Sequence, residues 1–406
     1  MEHPPEYKEE IGACSECGNS PTQHLVQYTI ATIDVWSANM AYRASGFAPL
    51  RALFRLAGYV GEVVERFNHR LLRVLRLIRS GHEVTKARSY RSQVVWEEAG
   101  RRGIAMEQLV FLGSHSDVYR AHINGAWVYF ESLPIPRYYE YDAYRWMDDK
   151  YRLNEVLRAA GVPVPFIESV TGVQQALEAF QKTNGRAVVK PRAGSRGRHT
   201  TTNIRDEESL RAAFKSAKKL CRHVCVTRHL DGSICRGTVV DGKLAGFFQA
   251  DPPRLVGDGV STVEELIAAK NAARHERVQP VELREEHEAY LRRAGLTRAS
   301  VLPKGEVFDL THRSGRLFGG ETRELLKAVH PKLREYLERA GAMLRVPIVG
   351  FDLIIKDPEA DPESQEWGII EANSLPFIDL HYLPLHGEPS NVAAHVWDLW
   401  NEKSPA

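Results

Sequence analysis

Two short apolar runs in this chain each carry a carboxylate: Phe351-Asp352-Leu353-Ile354-Ile355 and Ile369-Ile370-Glu371-Ala372-Asn373. Aliphatic, largely β-branched runs of this length, bounded by polar residues, read as buried strands. A carboxylate taken out of water costs several kcal/mol unless a cation compensates it. The stretch between the runs, 357–366, is polar and acidic and reads as a surface loop. A hairpin through that loop sets Asp352, Glu371 and Asn373 on neighbouring strands. Glu371 and Asn373 are two apart and share a face. Two carboxylates and an amide oxygen suit Mg²⁺, which takes oxygen ligands and keeps room for phosphates. The competing reading is a salt-bridged pair at a sheet edge.

The residues around these runs alternate between helix and strand signals from position 146 onward. Helices are expected over 150–160, 173–183, 207–220, 331–344 and 391–400, the first stopped by Gly161 with Pro163 beyond it. Strands are expected over 186–190, 224–227, 348–355 and 367–372, with a hairpin turn at Asp241-Gly242. The second chemical signal lies at the end of one of these strands. Ala187-Val188-Val189-Lys190-Pro191 runs into Gly194-Ser195-Arg196-Gly197-Arg198. Glycines let backbone N–H groups approach an anion, and the basic side chains neutralise it. No Gly-Lys-Ser/Thr opens a helix here, so the loop is not a Walker motif. A flexible hairpin tip with solvated arginines is the alternative. A third signal, Asp148-Asp149-Lys150, reads alone as ordinary helix capping. Two lysines, an anion loop and a metal triad together describe a site for a Mg-nucleotide.

The N-terminal part is less informative. Residues 1–30 are polar and read as a poorly ordered arm. Cys14-x-x-Cys17 falls there; a zinc site needs four ligands, and no second such pair follows. His3 and His24 are candidates to complete one, but two free thiols are the favoured reading. Residues 36–80 repeat apolar side chains at helical spacing, from Leu53, Leu56 and Val60 to Phe67, Leu71 and Ile78, with Arg and Glu between them. A basic membrane-surface helix has this pattern too, but Gly58 and Gly61 interrupt it and packing onto the protein is preferred. Over 88–135 a helix and short strands, joined at Asn124-Gly125, read as a small α/β domain. Pro134-Ile135-Pro136 reads as a linker.

The net charge of +2 points to neither nucleic acid nor an anionic membrane as the main partner. No apolar run reaches the length of a membrane span, the start does not resemble a secretory signal, and five cysteines read as reduced thiols, so a cytoplasmic chain is expected. The division expected along the chain is a polar arm (1–35), a helical and small α/β region (36–145) and a nucleotide-binding α/β domain (146–400).

These residues, taken in order, resemble the ATP-grasp superfamily of carboxylate–amine ligases, and most of all the ATP-grasp region of cyanophycin synthetases. The resemblance runs from about Asp148 to Trp400. It rests on Asp149-Lys150 with Gly161-Val162-Pro163, on Val189-Lys190-Pro191 with the following loop, and on Val256-Gly257-Asp258-Gly259 with Ser261-Thr262-Val263-Glu264-Glu265. It continues through Gly319-Gly320, Val329-His330-Pro331, Gly350-Phe351-Asp352, Glu371-Ala372-Asn373, Pro376, His381, Pro384, Gly387, Pro389 and Asn391. It implies an α/β (α+β) fold of two subdomains that sandwich ATP. It also implies Mg²⁺, two ions in the expected count with Mn²⁺ as a substitute. Lys150 and Lys190 match the lysines that hold phosphates; Gly194, Ser195, Arg196, Gly197 and Arg198 match the loop that covers them. Asp352, Glu371 and Asn373 match the metal ligands. A carboxylate becomes an acylphosphate, and an amine displaces phosphate to form an amide.

The departures are specific. Thr227 stands where the family has a Glu near adenine, and Ile234 where it has an acid near the ribose. Asp231 is the nearest substitute, and backbone groups near Arg228 and Leu230 remain for adenine. Asp379 stands where cyanophycin synthetases have an Arg; an Arg would suit a substrate carboxylate, whereas the Asp suits a cationic substrate group, and capping a local turn is the alternative. Asp379 and His381 are therefore the substrate candidates, and Arg236, Arg313 and Arg316 the candidates for further phosphate contacts in catalysis. No second ATPase domain follows, so a single amide or peptide bond between small-molecule or peptide substrates is expected, with a homo-oligomer left open. An ATP-grasp phosphotransferase and a nucleotide-binding protein without turnover are the alternatives.

Overall fold

The structure, a computed structural model, describes residues 14, 17, 22–194 and 197–401. The helices are α1 (His24–Ser45), α2 (Ala48–Val74), α3 (Tyr90–Arg101), α4 (Lys150–Ala159), α5 (Val173–Gln181), α6 (Glu207–Ala217), α7 (Val263–Ala273), α8 (Glu285–Arg293), α9 (Pro331–Leu344) and α10 (Val392–Asp398). The strands are β1 (Ile78–Gly81), β2 (Met106–Phe111), β3 (Ser114–Ile123), β4 (Ala126–Glu131), β5 (Ile167–Val170), β6 (Ala187–Pro191), β7 (Thr201–Ile204), β8 (Val224–Arg228), β9 (Ser233–Val240), β10 (Lys243–Ala250), β11 (Arg254–Val256), β12 (Val307–Asp309), β13 (Thr322–Glu324), β14 (Ile348–Ile355) and β15 (Gly368–Asn373). They divide into two compact units. The first is Met1–Trp36, Pro165–Leu230 and Ala250–Glu321; the second is Ser37–Val164, Asp231–Gln249 and Thr322–Ala406.

In the second unit, β9 and β14 pair antiparallel from Ile348 opposite Val240 to Ile355 opposite Ser233. They form the centre of a sheet ordered β13-β10-β9-β14-β15. The β9–β10 turn has Asp241 at φ 49° and Gly242 at φ 75°, the left-handed pair that a two-residue hairpin needs. Asn124 (φ 48°) and Gly125 (φ 78°) turn β3 into β4 in the same way, within a sheet ordered β1-β2-β3-β4. The helix signals around the site also hold. Asp149 caps α4 by accepting from the Tyr151 and Arg152 backbone N–H groups, each at 3.0 Å. Gly161 ends that helix at φ 67°, and His330 with Pro331 opens α9. One face of the five-stranded sheet is apolar: Phe351 and Leu353 are buried, and Leu337 of α9 sits where a Cβ on Gly237 would come within 2.7 Å.

In the first unit, the sheet is ordered β5-β8-β6-β7. Leu177, Phe180, Leu210 and Phe214 of α5 and α6 pack with Val189, Val224 and Val226 to form its core. A second core holds Leu255, Val263, Ile267, Leu291 and Leu302, around α7, α8 and β11. The Thr262/Glu265 capping box opens α7.

Three expectations for the N-terminal part are corrected. The arm expected to be poorly ordered is helical from His24, and Cys17 is buried. The Pro134-Ile135-Pro136 segment is no solvated linker: Leu133 and Ile135 belong to the main core of the second unit, and the Trp400 indole N–H donates to the Pro134 carbonyl at 2.6 Å. The amphipathic stretch does form α2, but its apolar stripe is not packed among the described residues. Leu53, Leu56, Val60, Val63, Val64, Phe67 and Leu71 are exposed. The stripe turned inward is instead Phe54, Gly58, His69 and Arg73. The Arg145 guanidinium lies 5.5 Å from the Phe54 ring, and a Cβ on Gly58 would meet Tyr139 at 2.5 Å. His69 lies 4.8 Å from the Tyr129 ring, and Arg73 lies 3.6 Å from Glu107.

Candidate active site

The polar face of the five-stranded sheet carries the acids that the sequence singled out. Asp352 on β14 lies opposite Glu371 on β15 and opposite Arg236 on β9, with a bulge in the β14–β15 pairing just after Asp352. The Arg236 fork holds Asp352 by both oxygens: Nε donates to Oδ1 at 2.6 Å and Nη2 to Oδ2 at 2.7 Å. Burial alone would lower the Arg236 pKa, but Asp352 outweighs it and the guanidinium is held above its ordinary value. Lys150 Nζ, at the first residue of α4, is 3.5 Å from Glu371 Oε1, and Asn373 Nδ2 is 3.5 Å from Asp352 Oδ2. Each acid thus faces a cation on its own unit, which compensates these half-buried carboxylates. The sheet-edge ion pair weighed from the sequence is present as well, since β15 is the edge strand. The donor chemistry of Asp352, Glu371 and Asn373 fits Mg²⁺: three hard oxygen donors, with the two carboxylates directly opposed.

Next to this face, 374–381 forms a wall. Asp148 accepts from the Ser374 backbone N–H at 3.0 Å and from its hydroxyl at 2.8 Å. Burial nonetheless holds the Asp148 carboxyl above its usual range. Arg91 of α3 donates to the Leu375 carbonyl at 2.8 Å, and its guanidinium lies 4.9 Å from the Phe377 ring. Pro376 sits against Gly350, where a Cβ would come within 2.8 Å of the Pro376 Cβ. Asp379 Oδ1 is buried without a hydrogen-bond partner. Burial raises the Asp379 pKa, against the pull of Arg91 and Arg236. Arg91 escaped the sequence reading because it lies 284 residues from the segment it supports.

The first unit carries the other candidates. Lys190 on β6 lies opposite Cys225 on β8. The loop after β6 has Gly194 at φ 127° and Gly197 at φ 64°, which favour glycine. His312 lies beneath Gly197, with Nε2 3.1 Å from where a Cβ would be. The Tyr290 ring stacks on His312 and its hydroxyl meets Thr202 at 2.6 Å. Ser195 and Arg196 lie outside the described residues, while Arg198 lies within them.

No family model matches the chain. The chain is 32% identical over 265 residues to the cyanophycin synthetase of a Nostoc species, covering 63% of this chain and 29% of that one. It is 26% identical over 317 residues to the glutathione biosynthesis bifunctional protein GshAB of Mannheimia succiniciproducens, covering 75% of this chain and 42% of that one. Its fold matches the crystal structure of a bifunctional glutathione synthetase from Pasteurella multocida with a TM-score of 0.50, at 23% identity, over 76% of this chain and 44% of that one. The chain thus shares the fold of that synthetase and is similar in sequence to cyanophycin synthetases over this region. It spans less than half the length of these curated relatives.

Several of the candidate side chains are committed elsewhere. His381, a substrate candidate from the sequence, is fully buried: Nδ1 meets Glu324 at 2.7 Å and Nε2 meets Thr238 at 2.8 Å. Both ring nitrogens are used, so His381 sits here as a buried, hydrogen-bonded core residue. Arg313, a candidate for a phosphate contact, donates to Glu286 at 3.2 Å and its side chain is 10% exposed. Arg316 opens a short 3₁₀ turn, Arg316–Phe318. The Thr227 hydroxyl donates to the Phe166 carbonyl at 2.6 Å, and the Arg228 backbone N–H donates to the same oxygen at 3.0 Å. Leu230 is buried, and Asp231 is exposed. Ile234 pairs with Ile354 in the β9–β14 ladder. No helix among the described residues is long and apolar enough to cross a membrane.

Proposed function

We propose that this ATP-grasp chain joins a carboxylate to an amine at the expense of ATP. The reading rests on the opposed Asp352 and Glu371, each faced by a cation on one polar sheet face. The acid substrate's oxygen attacks the γ-phosphorus and ADP leaves, giving an acylphosphate. The amine then attacks the acyl carbon, loses a proton and expels phosphate. Such phosphoryl transfer needs charge neutralisation and alignment more than a nucleophilic side chain. Lys150 and Lys190 serve the phosphates, with Gly194, Ser195, Arg196, Gly197 and Arg198 as the covering loop. Asp352, Glu371 and Asn373 would hold Mg²⁺, two ions with Mn²⁺ able to replace them, which screens the charge of the phosphate oxygens. Arg236 keeps Asp352 in place. The unpartnered Asp379 oxygen receives the amine substrate as its ammonium and, with its raised pKa, takes the first proton to free the attacking lone pair; the second proton, lost after attack, leaves with the expelled phosphate.

The substrates of this reading are small-molecule or peptide carboxylates and amines, handled in the cytoplasm. Trapping tests it. With ATP, Mg²⁺, the acid and hydroxylamine, an acylphosphate gives a hydroxamate, and Glu371→Gln abolishes it. ADP formed without hydroxamate would move the reading to a phosphotransferase. The engagement of Thr227 by the Phe166 carbonyl favours altered nucleotide selectivity within the ligase reading.

A further inference from the structure

The cysteine pair expected to be two free thiols sits in a constellation that neither the sequence nor the ligase chemistry accounts for. Cys14, Cys17, His24 and His199 place their ligand atoms all within 4.8 Å of one another. Cys14 Sγ is 3.5 Å from His199 Nε2, Cys17 Sγ is 3.3 Å from His24 Nε2, and Cys17 Sγ is 3.5 Å from His199 Nε2. With Zn–S near 2.3 Å and Zn–N near 2.05 Å, a tetrahedron has a sulfur-to-nitrogen edge of about 3.6 Å. The observed separations are those of donors arranged around a common centre. The two imidazole rings meet edge to face at 4.9 Å, so neither blocks the other's Nε2.

We propose that Cys14, Cys17, His24 and His199 form a structural zinc site. All four belong to the first unit. The site is closed, with four protein ligands and no position left for substrate, which is the mark of a structural rather than catalytic zinc. Two thiolates and two imidazoles select zinc over hard cations. The supporting groups are in place. The His199 ring is fully buried, and its Nδ1 meets the Ser216 carbonyl at 2.9 Å and the Ser216 hydroxyl at 3.0 Å. That contact puts the proton on Nδ1 and leaves the Nε2 lone pair for the metal. The Cys17 backbone N–H donates to the Cys14 carbonyl at 2.9 Å.

The placement gives the site a task. His199 is the second residue after Gly197, in the glycine-rich loop that follows β6. Zinc would tie the end of that loop, and α6 through Ser216, to the segment that opens α1. Chain closure over so long a sequence interval is where a metal clip stabilises most. The sequence could not show it, because the fourth ligand lies 175 residues beyond His24.

The test is metal content and spectroscopy on the full chain. The protein as purified without added metal should carry about one zinc per chain by elemental mass spectrometry, as a closed four-ligand site requires. Reduced, metal-free protein titrated with Co²⁺ should show the visible absorption of tetrahedral cobalt with a thiolate charge-transfer band. Cys17→Ser and His24→Ala should each remove both signals, while Cys235→Ala, in the second unit, should keep them. Zinc chelation should speed amide exchange over 197–202. Protein with no zinc and no tetrahedral cobalt spectrum would overturn the proposal, as would zinc retained in full by both ligand variants. Should a variant fail to fold, the wild-type cobalt titration decides. None of these readouts uses turnover, so they stand apart from the ligase reading.

Discussion

Arg236 is the residue whose removal most directly probes the polar face of the second unit. Arg236→Met keeps the length and the apolar stem but deletes both charge-assisted hydrogen bonds to Asp352, at 2.6 and 2.7 Å. Asp352 then faces Glu371 across the β14–β15 pair, with Lys150 3.5 Å from Glu371. Breaking a buried ion pair costs about 3–5 kcal/mol, and with both side chains 15% exposed the lower end, about 3 kcal/mol, applies. A unit of this size shifts in Tm by about 2–4 °C per kcal/mol, so the expected loss is about 6–12 °C. Added Mg²⁺ should restore part of it, because the cation replaces the lost guanidinium; at ten times its Kd the gain is about 1.4 kcal/mol. Calorimetric melts of wild type and variant, with and without Mg²⁺, measure both effects. A Tm loss below about 2 °C, or an equal Mg²⁺ response in the two proteins, would refute the reasoning that these acids are a compensated metal-binding pair.

Three further outcomes are expected. Gly350→Ala drives a Cβ to 2.8 Å from Pro376. It should cost about 1–3 kcal/mol in a melt and raise the KM of the amine by displacing Asp379. Burial holds His312 at about 4, below its ordinary 6.5. Its contribution to stability is therefore complete above pH 6.5 and falls away as the pH drops towards about 4, by at most about 3 kcal/mol. Urea unfolding between these limits should show a flatter profile for His312→Gln. Thr227 spends its hydroxyl on the Phe166 carbonyl, so ATP should be preferred over GTP by less than about tenfold, or 1.4 kcal/mol, in competition binding. Strict ATP selectivity would contradict this.

Much of the site could be read from sequence because its signals are local. Acids inside apolar strands announced the Asp352–Glu371 pair, and a strand running into glycines and arginines announced the loop after Lys190. The turns at Asn124-Gly125 and Asp241-Gly242 depend only on their own φ angles, and both formed. What escaped depends on distant partners. Arg91 reaches the Leu375 carbonyl through tertiary packing alone, and His199 meets Cys14 and Cys17 in the same way. His381 looked like a ligand residue because it lies in a motif, whereas Glu324 and Thr238 make it a core residue. Helix α2 followed its periodicity, yet the direction of its apolar stripe is a tertiary matter. Phe54, Gly58, His69 and Arg73 meet specific partners in the second unit, and the apolar residues are left exposed.

Amide ligation is decided by ADP release together with the mass of the product. The protein, with ATP and Mg²⁺, is offered pooled amino acids and dipeptides, and the products are weighed by mass spectrometry beside a Glu371→Gln control. A ligase gives ADP only with the right substrates, a product mass equal to acid plus amine less one water, and no product from the control. ADP accompanied by a phosphorylated product, or ATP bound without turnover on any pool, would contradict amide ligation.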